Sequence, residues 1–298
     1  MTSARAWILS MSLVLMMAPV PALAQTVGEA ASLSLHDGGA ELPAKLDPWE
    51  FTIGGRIGAP VGHLQVGESI AGGSTPGTKL SLGDLGVHVS ETMEASVAYH
   101  FTPDDALRVS ALYTFLRGDS TPSQSIVYNG LEFKPGPLHT NADYWRVDLA
   151  YERALVRAPA DELIGSLGVA YVFFNPTLSN SQQNGGENSE DFYLQELPVP
   201  IAGLRWTHQL SDHWGFRLGI AGGGLPRVDS LRKEGGTVYL QQSHADGDAL
   251  LVYRWRSGAE FEIGYHFTYF FQHEKSHEDD NRFELIDNGL RARFSVRF

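Results

Sequence analysis

The sequence predicts an all-β protein, a closed antiparallel up-and-down transmembrane β-barrel of about ten strands. Three observations support this fold class. The last ten residues, 289–298, alternate apolar and polar side chains, and the same period of two recurs from Trp49 onward. Short polar turns separate these runs. No segment after the N-terminus has the roughly 18 consecutive apolar residues of a membrane-spanning helix, so any crossing must use strands.

The N-terminal residues have the pattern of a secretory signal peptide. Arg5 precedes an apolar run over residues 7–17, and Ala22-Leu23-Ala24 supplies a cleavage site of the small-x-small type. The apolar run is too short to anchor the chain in a membrane. We therefore expect a signal peptide at residues 1–24, a periplasmic lead-in at residues 25–47 and the barrel at residues 48–298.

The composition excludes several classes of function. The chain has 35 acidic and 22 basic residues, a net charge of −13, which argues against a nucleic-acid partner. Because it has no cysteine, disulfides, thiolate metal sites, a cysteine nucleophile and a lipoprotein anchor are excluded. The mean hydropathy of −0.16 is low for a helical membrane protein, but it is expected of a barrel whose polar lumen dilutes its lipid face.

The alternation defines ten strands whose connections differ in length. Short connections near residues 104, 158, 212 and 257 fall on one side of the barrel, which we assign to the periplasm. The long ones, at 59–91, 117–142, 175–198, 222–248 and 272–282, fall on the outer side. Counts of eight or twelve strands stay open as alternatives. The strands centre on 49–57, 93–101, 107–115, 145–151, 167–173, 202–206, 214–220, 251–255, 261–271 and 290–298.

Tryptophans cluster near the predicted periplasmic ends of the strands. Trp49, Trp206, Trp214 and Trp255 all lie there. Tryptophan is enriched where a membrane protein meets the membrane–water interface. This one-sided grouping favours a barrel over a soluble β-sandwich, the alternative all-β fold.

One outer connection contains a strong hairpin signal. Asn129-Gly130 separates two short β-prone runs, 126–128 and 131–133. Both central residues of a type I′ turn need positive φ, which Asn and Gly tolerate best. We expect a hairpin that continues beyond the membrane.

Residues 80–155, about a quarter of the chain, resemble the small proteobacterial outer-membrane barrel proteins of the porin-like superfamily. The resemblance lies in Leu82-Gly83-Asp84-Leu85-Gly86, in the hairpin around Pro103, and in Gly130-Leu131-Glu132-Phe133-Lys134-Pro135-Gly136, which leads into 145–151. It implies fold and location rather than an activity. A terminal strand that ends in Phe298 also resembles the signal that directs Gram-negative outer-membrane proteins to their assembly machinery.

Polar side chains between the apolar positions point into the barrel if the apolar positions face lipid. A barrel of about eight to ten strands is narrow enough for side chains to fill. We expect a network of ion pairs across the lumen, with a narrow polar channel or a buried proton- or ligand-binding site as alternatives. The predicted lumen residues are Glu50, Arg56, Glu94, His100, Arg108, Arg146, Asp148, Glu152, Arg205, Arg217, Arg254, Glu260, Glu262, His266, Arg291 and Arg293.

The segment 273–280, His-Glu-Lys-Ser-His-Glu-Asp-Asp, contains potential metal ligands. The candidates are His273, His277 and Asp279. However, the spacing His-x-x-x-His binds metal chiefly on a helix, and this segment lies between two predicted strands. We therefore expect a solvated acidic loop that associates with divalent cations at the lipopolysaccharide surface, and no cofactor.

His244 and Asp246 are the candidate catalytic residues. On an extended segment they project from the same face near the outer rim, where the carboxylate could orient the imidazole as a general base. Ser243 points the other way, so a nucleophile would have to come from another segment. Omptin proteases and outer-membrane lipid A deacylases carry acid/base residues at a similar height, but their distinguishing motifs are absent from this sequence.

These observations predict an integral outer-membrane protein of a Gram-negative bacterium, with a side-chain-filled polar lumen and long surface loops. Its predicted role is structural, adhesive or ligand-binding. The alternatives are a narrow pore for small solutes and an outer-leaflet hydrolase. The expected partners are outer-membrane lipid, lipopolysaccharide and the barrel-assembly machinery. The sequence does not indicate which small molecule, if any, is bound.

Overall fold

A computed structural model describes residues 47–70, 73–180, 187–189, 197–229, 239–255, 258–276 and 279–298. Every regular element within these ranges is a β-strand. None of these residues belongs to a helix long and apolar enough to cross a membrane. The predicted signal peptide, and the predicted lead-in except for Asp47, lie outside the described residues.

The described residues form twenty strands. They are β1 (Trp49–Gly58), β2 (Val61–Gln65), β3 (Glu68–Ile70), β4 (Gly73–Thr75), β5 (Leu80–Ser81), β6 (Ser90–His100), β7 (Asp105–Phe115), β8 (Arg117–Ser120), β9 (Ile126–Tyr128), β10 (Leu131–Phe133), β11 (Leu138–Asn141), β12 (Tyr144–Arg157), β13 (Asp161–Phe174), β14 (Thr177–Ser179), β15 (Glu187–Ser189), β16 (Val199–Gln209), β17 (Trp214–Asp229), β18 (Tyr239–Arg254), β19 (Ala259–Lys275) and β20 (Asp280–Arg297).

Ten of these strands close into an antiparallel barrel in the order β1-β6-β7-β12-β13-β16-β17-β18-β19-β20. The ring closes because β20 pairs back with β1, from Glu50 opposite Arg297 to Gly58 opposite Gly289. The predicted fold class and the count of ten strands are therefore confirmed. Closure leaves no free edge along these strands, so their backbone groups are satisfied by neighbours.

The two ends of the barrel differ in the length of their connections. At one end, short turns at 101–104, 158–160 and 210–213 join consecutive strands, and only four residues of the chain separate β18 from β19 there. The barrel also begins and ends there, because the N–H of Trp49 donates to the carbonyl oxygen of Phe298 at 3.1 Å and the reverse bond measures 2.9 Å. The longer connections lie at the opposite end, as predicted. We call these the short-turn end and the loop end.

Two of the predicted outer loops are wrong in extent. Much of 222–248 and 272–282 is strand, because β17, β18, β19 and β20 all continue toward the loop end. The outward positions of β18 in this stretch, Ala245, Gly247 and Ala249, are too small to produce an apolar alternation. Inward residues still alternate with these small outward residues. The strand therefore continues through a stretch in which its outward residues are not hydrophobic enough to predict it.

A break divides the first strand. β1 ends at Gly58, and after Ala59-Pro60 the chain resumes as β2, which pairs with the upper part of β20 from Val61 opposite Ile286. Proline has no N–H to donate to a strand ladder, which explains an interruption at this point. The segment after β2 does not add a strand to the closed ring, and the alternative of twelve barrel strands is not realised.

The outer face of the barrel forms an apolar belt. The side chains of Ile57, Met93, Leu167, Ile220 and Leu290 are all more than half exposed. Soluble monomers rarely expose contiguous apolar surface on this scale. A belt of exposed aliphatic side chains around a closed barrel is typical of strands that face lipid.

Aromatic side chains gather at the short-turn end of this belt. The four tryptophans predicted there are 36% to 45% exposed. Three of them contact tyrosines: the ring centroids of Trp49 and Tyr99 are 4.8 Å apart, those of Trp214 and Tyr253 are 4.9 Å apart, and those of Trp255 and Tyr253 are 4.8 Å apart. The predicted one-sided girdle is therefore present at this end.

The loop end is filled by an apolar cluster, which we call the plug. Inward side chains of the wall, among them Phe174, Phe270 and Phe283, meet side chains from the long connections. Phe174 and Phe283 have ring centroids 4.3 Å apart. The connections contribute Leu64, Val66, Leu80, Leu82, Leu85, Val87, Leu116, Ile126, Tyr128, Phe133, Leu138, Ala142 and Leu178.

The predicted Asn129-Gly130 hairpin is confirmed. β9 pairs with β10, and the two turn residues have φ values of 46° and 69°. The hairpin does not project freely, however, because Ile126, Tyr128 and Phe133 are buried in the plug. The hydroxyl of Tyr128 donates a hydrogen bond to the carbonyl oxygen of Pro176 at 2.6 Å, which ties two connections together.

We predict that Phe283→Ala destabilises the barrel by about 3–5 kcal/mol, because it leaves a cavity in a packed apolar cluster. The matched control is Phe294→Ala, which removes an outward ring that is 39% exposed. Unfolding of the detergent-folded proteins in urea, followed by gel mobility without boiling, measures both. Equal losses for the two variants would show that the plug does not stabilise the barrel.

Candidate functional site

The short-turn half of the lumen contains a polar cavity with a volume of about 580 Å³. Every predicted lumen residue except His266 lines it. Ten arginines face ten carboxylates, so the formal charges of this set cancel. The arginines are Arg56, Arg108, Arg146, Arg157, Arg205, Arg217, Arg254, Arg291, Arg293 and Arg297, and the acids are Asp47, Glu50, Glu94, Asp148, Glu152, Glu162, Asp246, Asp248, Glu260 and Glu262.

Near the short-turn end, two glutamates are each shared between two arginines. Glu50 accepts hydrogen bonds from Arg108 at 2.8 Å and from Arg297 at 2.7 Å, and His100 lies 3.6 Å from it. Glu152 accepts from Arg108 at 2.9 Å and from Arg205 at 3.1 Å. Arg108 therefore connects two carboxylates that project from different strands.

Deeper in the barrel, Glu94 is held by two guanidinium groups. Arg56 reaches its carboxylate at 2.7 Å and Arg291 also reaches it at 2.7 Å. Arg291 extends further to Asp248 at 3.2 Å. These residues come from β1, β6, β18 and β20, so a single cluster joins both sides of the closing seam.

One pair spans the lumen directly. Arg146 on β12 donates to Asp246 on β18 at 2.8 Å, and these two strands are separated by β13, β16 and β17 in the ring. The same guanidinium donates to Asp148 at 2.7 Å. Asp246 also accepts from the hydroxyl of Thr268 at 2.8 Å. The bond between Arg146 and Asp246 ties opposite walls of the barrel together.

A fourth group of charges lies between β17, β18, β19 and β20. Glu260 accepts from Arg217 at 3.1 Å and from Arg254 at 2.7 Å. Glu262, which is almost fully buried, contacts Arg217 and accepts from Arg293 at 2.6 Å. Each of these buried carboxylates is thus compensated by two cations, which removes most of the cost of an unpaired charge.

The ion pairs of the lumen leave few charged groups free to bind a ligand. A buried charge whose partner is removed is strongly destabilising, so a ligand would have to displace an arginine or a carboxylate that is already paired. His266 extends the network toward the plug: its Nε2 lies 2.6 Å from Arg56 and 2.7 Å from Thr268. The lumen is arranged as a neutral, mutually compensated interior.

His244 and Asp246 share the inward face of β18, inside the barrel rather than at its rim. Asp246 bonds with Arg146 and Thr268, and no hydrogen bond joins it to His244. The ring of His244 packs 4.9 Å from that of Phe270, and its buried Nε2 has no hydrogen-bonding partner among the described residues. Ser243 lies on the opposite face of the strand, as predicted. These positions do not make a general-base pair.

The candidate metal ligands are engaged elsewhere or lie outside the described residues. His273 Nε2 lies 2.9 Å from Asp280, and Asp279 accepts a bond from Ser276 at 3.2 Å. His277 is not among the described residues. No group of three or more potential ligands in the described part of the chain is arranged to hold a metal ion.

Sequence reasoning missed several polar residues of the inner wall. Asp248 and Thr268 bond within the network, Arg297 binds Glu50, and Asp287 accepts from Ser90 at 2.6 Å. Asp248 and Asp287 fell in stretches assigned to loops or left unassigned. The signal for both was the inward period itself, which on β18 continues past the point where the outward residues become small and on β20 runs back from Arg291 through Gly289 to Asp287.

No family model and no curated protein matches this chain. Solved structures with a similar fold include the outer membrane protease OmpT from Escherichia coli, at 12% identity and a TM-score of 0.47 over 84% of this chain and 97% of that one. The transport unit of the autotransporter AIDA-I from Escherichia coli is 9% identical, with a TM-score of 0.44 over 87% and 92%. The toluene transporter TodX from Pseudomonas putida is 11% identical, with a TM-score of 0.31 over 85% and 90%.

We predict that Arg146→Leu costs about 3–5 kcal/mol of unfolding free energy, because it leaves two buried carboxylates uncompensated. Adding Asp246→Leu should recover part of this loss, since one of those charges is then gone. A double-mutant cycle in urea measures the coupling. The control is Lys275→Ala, which breaks an exposed pair with Asp280 and should cost less than about 1 kcal/mol. Additive effects of the two lumen changes would contradict a direct pair.

Proposed function

We propose that this chain is a non-conducting integral outer-membrane barrel that presents a folded platform of loops on the cell surface, for adhesion or ligand binding. One observation carries the proposal: the polar part of the lumen is neutralised by its own ion pairs, and the plug fills the loop end above it. The barrel is thereby a support for its outer surface rather than a conduit.

The surface of the barrel supports the proposed membrane location. Three features are typical of a protein in a lipid bilayer: the exposed apolar belt, the tryptophans at the short-turn end and the closed ring of strands. Short turns then face the periplasm and long connections face outward. Export through the predicted signal peptide and delivery by the assembly machinery through Phe298 belong to the same proposal, as does contact with lipopolysaccharide.

The platform is ordered by strand pairing. β8, β11, β14 and β15 form a four-stranded sheet from two different connections. His139 and Asp119 on this sheet are exposed and bonded to each other at 2.9 Å. Because the underside of the platform is anchored in the plug, its exposed face is pre-organised, which lowers the entropic cost of binding a partner.

We predict that the purified protein gives no discrete conductance steps in planar lipid bilayers. The physical reason is that ions would have to pass both the paired charges and the packed apolar plug. An open porin reconstituted in the same bilayers is the positive control. Reproducible steps of a single size would contradict the proposal and favour the alternative, a narrow pore for small solutes.

A hydrolase based on His244 requires this imidazole to act as a base, but its neighbours in the structure are Phe270 and the plug rather than a carboxylate. We therefore expect His244→Ala to leave the lipid A mass profile and surface peptide cleavage of the producing cells identical to the wild type. A changed profile in the variant, with unchanged protein level, would support the hydrolase instead.

A further inference from the structure

A second cavity, of about 700 Å³, lies on the outside of the barrel wall and is almost wholly apolar. We call it the wall groove. Its volume falls within the roughly 300–1,000 Å³ typical of ligand pockets. It crosses β12, β13, β16 and β17. None of the lumen charges described above lines it, and the small residues Gly203 and Ala221 form a thin wall between the groove and the lumen.

The wall groove arises from small residues between large ones. Register places Gly165 opposite Leu204, and Leu167 opposite Ala202, which in turn pairs with Gly222. The small positions form the floor of the groove. Leu167, Leu204 and Ile220, all highly exposed, form its walls. The outward faces of the four strands thus form a depression within the apolar belt.

A β-bulge shapes the end of the wall groove near the short turns. The register of β12 shifts between Ala154 and Val156, and Leu155 is 55% exposed beside it. Leu155 lies over Gly165, since a Cβ at that glycine would come within 3.0 Å of the leucine Cδ1. A side chain at position 165 would push this wall aside, so the glycine keeps the groove open.

A cation marks the same end. Arg153 lines the wall groove with a side chain that is 62% exposed, and its guanidinium is 3.6 Å from Asp105. The neighbouring Asp104 is exposed and pairs with Arg157 at 3.4 Å. A pair at this distance with a mostly exposed arginine is weak, and the guanidinium keeps donors for an oxyanion such as phosphate. Positive and negative groups thus lie side by side where the groove meets the interface.

The wall groove runs from the interface into the apolar belt. Arg153 is four residues from the short-turn end of β12, whereas Gly222 is eight residues from the start of β17. The difference of four residues corresponds to about 13 Å along a strand. A molecule with its head at Arg153 would therefore lay its tail over Ala202 and Gly222, toward the middle of the membrane.

We propose that the wall groove binds one phospholipid of the periplasmic leaflet, with a headgroup that carries both a phosphate and a primary ammonium, as in phosphatidylethanolamine. The phosphate meets Arg153, the ammonium meets Asp104 and Asp105, and one acyl chain fills the floor of the groove. This rests on the proposed function, because the belt must face lipid and the short turns must lie in the periplasm.

Native mass spectrometry tests this inference on the full barrel released from detergent after exposure to phosphatidylethanolamine or phosphatidylglycerol. We expect the wild type to retain one phosphatidylethanolamine. Ala202→Phe fills the floor of the groove and should reduce the retained fraction at least tenfold. Arg153→Gln should also reduce it, and Arg153→Lys should restore part of it. Ala111→Phe, at an exposed outward alanine of β7, is the matched control and should bind as the wild type does.

Three results would overturn the lipid site: equal retention by wild type and both groove variants, a preference for phosphatidylglycerol, or a dimer that Ala202→Phe dissociates. The last would assign the groove to a second copy of the chain. Arg153→Gln keeps the test decisive if Ala202→Phe does not fold. Failure of the proposed function has a different signature, since the wild type would then give no folded barrel that requires detergent.

Discussion

The structure depends on the pairing of its first barrel strand with its last. In hydrocarbon, the backbone N–H and C=O groups at a free sheet edge have no water with which to form hydrogen bonds. A sheet can therefore enter a membrane only when it is closed. Nine consecutive residue pairs between β1 and β20 provide that closure. Once the ring is closed, alternate side chains face two environments, and every charge on the inner face must find its partner within a narrow space.

Arginine fits this requirement better than lysine. Its planar guanidinium has donors on several sides and can bridge two carboxylates, as Arg108, Arg146 and Arg217 do here. No lysine is among the described residues that line the lumen cavity. The bridges run mostly between strands that are not neighbours, so they cross the lumen and fix the distances between its walls.

The barrel divides along its axis into two interiors with different chemistry. The short-turn half can hold charges because it opens toward solvent and each ion is compensated. The loop half has long connections that fold back and supply apolar side chains, so it packs like the core of a soluble protein. This division is the basis of the role proposed for the barrel, which is to support its outer surface rather than to conduct a solute, with the proposed lipid site on its outer wall.

The sequence alone determined the closed barrel, the ten strands, the end at which each turn lies, and most of the inward charges, because an alternation with a period of two shows directly which residues share a face. It also placed the Asn129-Gly130 turn, whose φ values few other residues adopt. Tertiary structure decided which charges pair: Arg146 and Asp246 are 100 residues apart and meet only because the ring brings β12 opposite β18. It also decided that His244 lies beneath the plug and that the hairpin packs inward, since burial by distant segments leaves no local pattern in a chain.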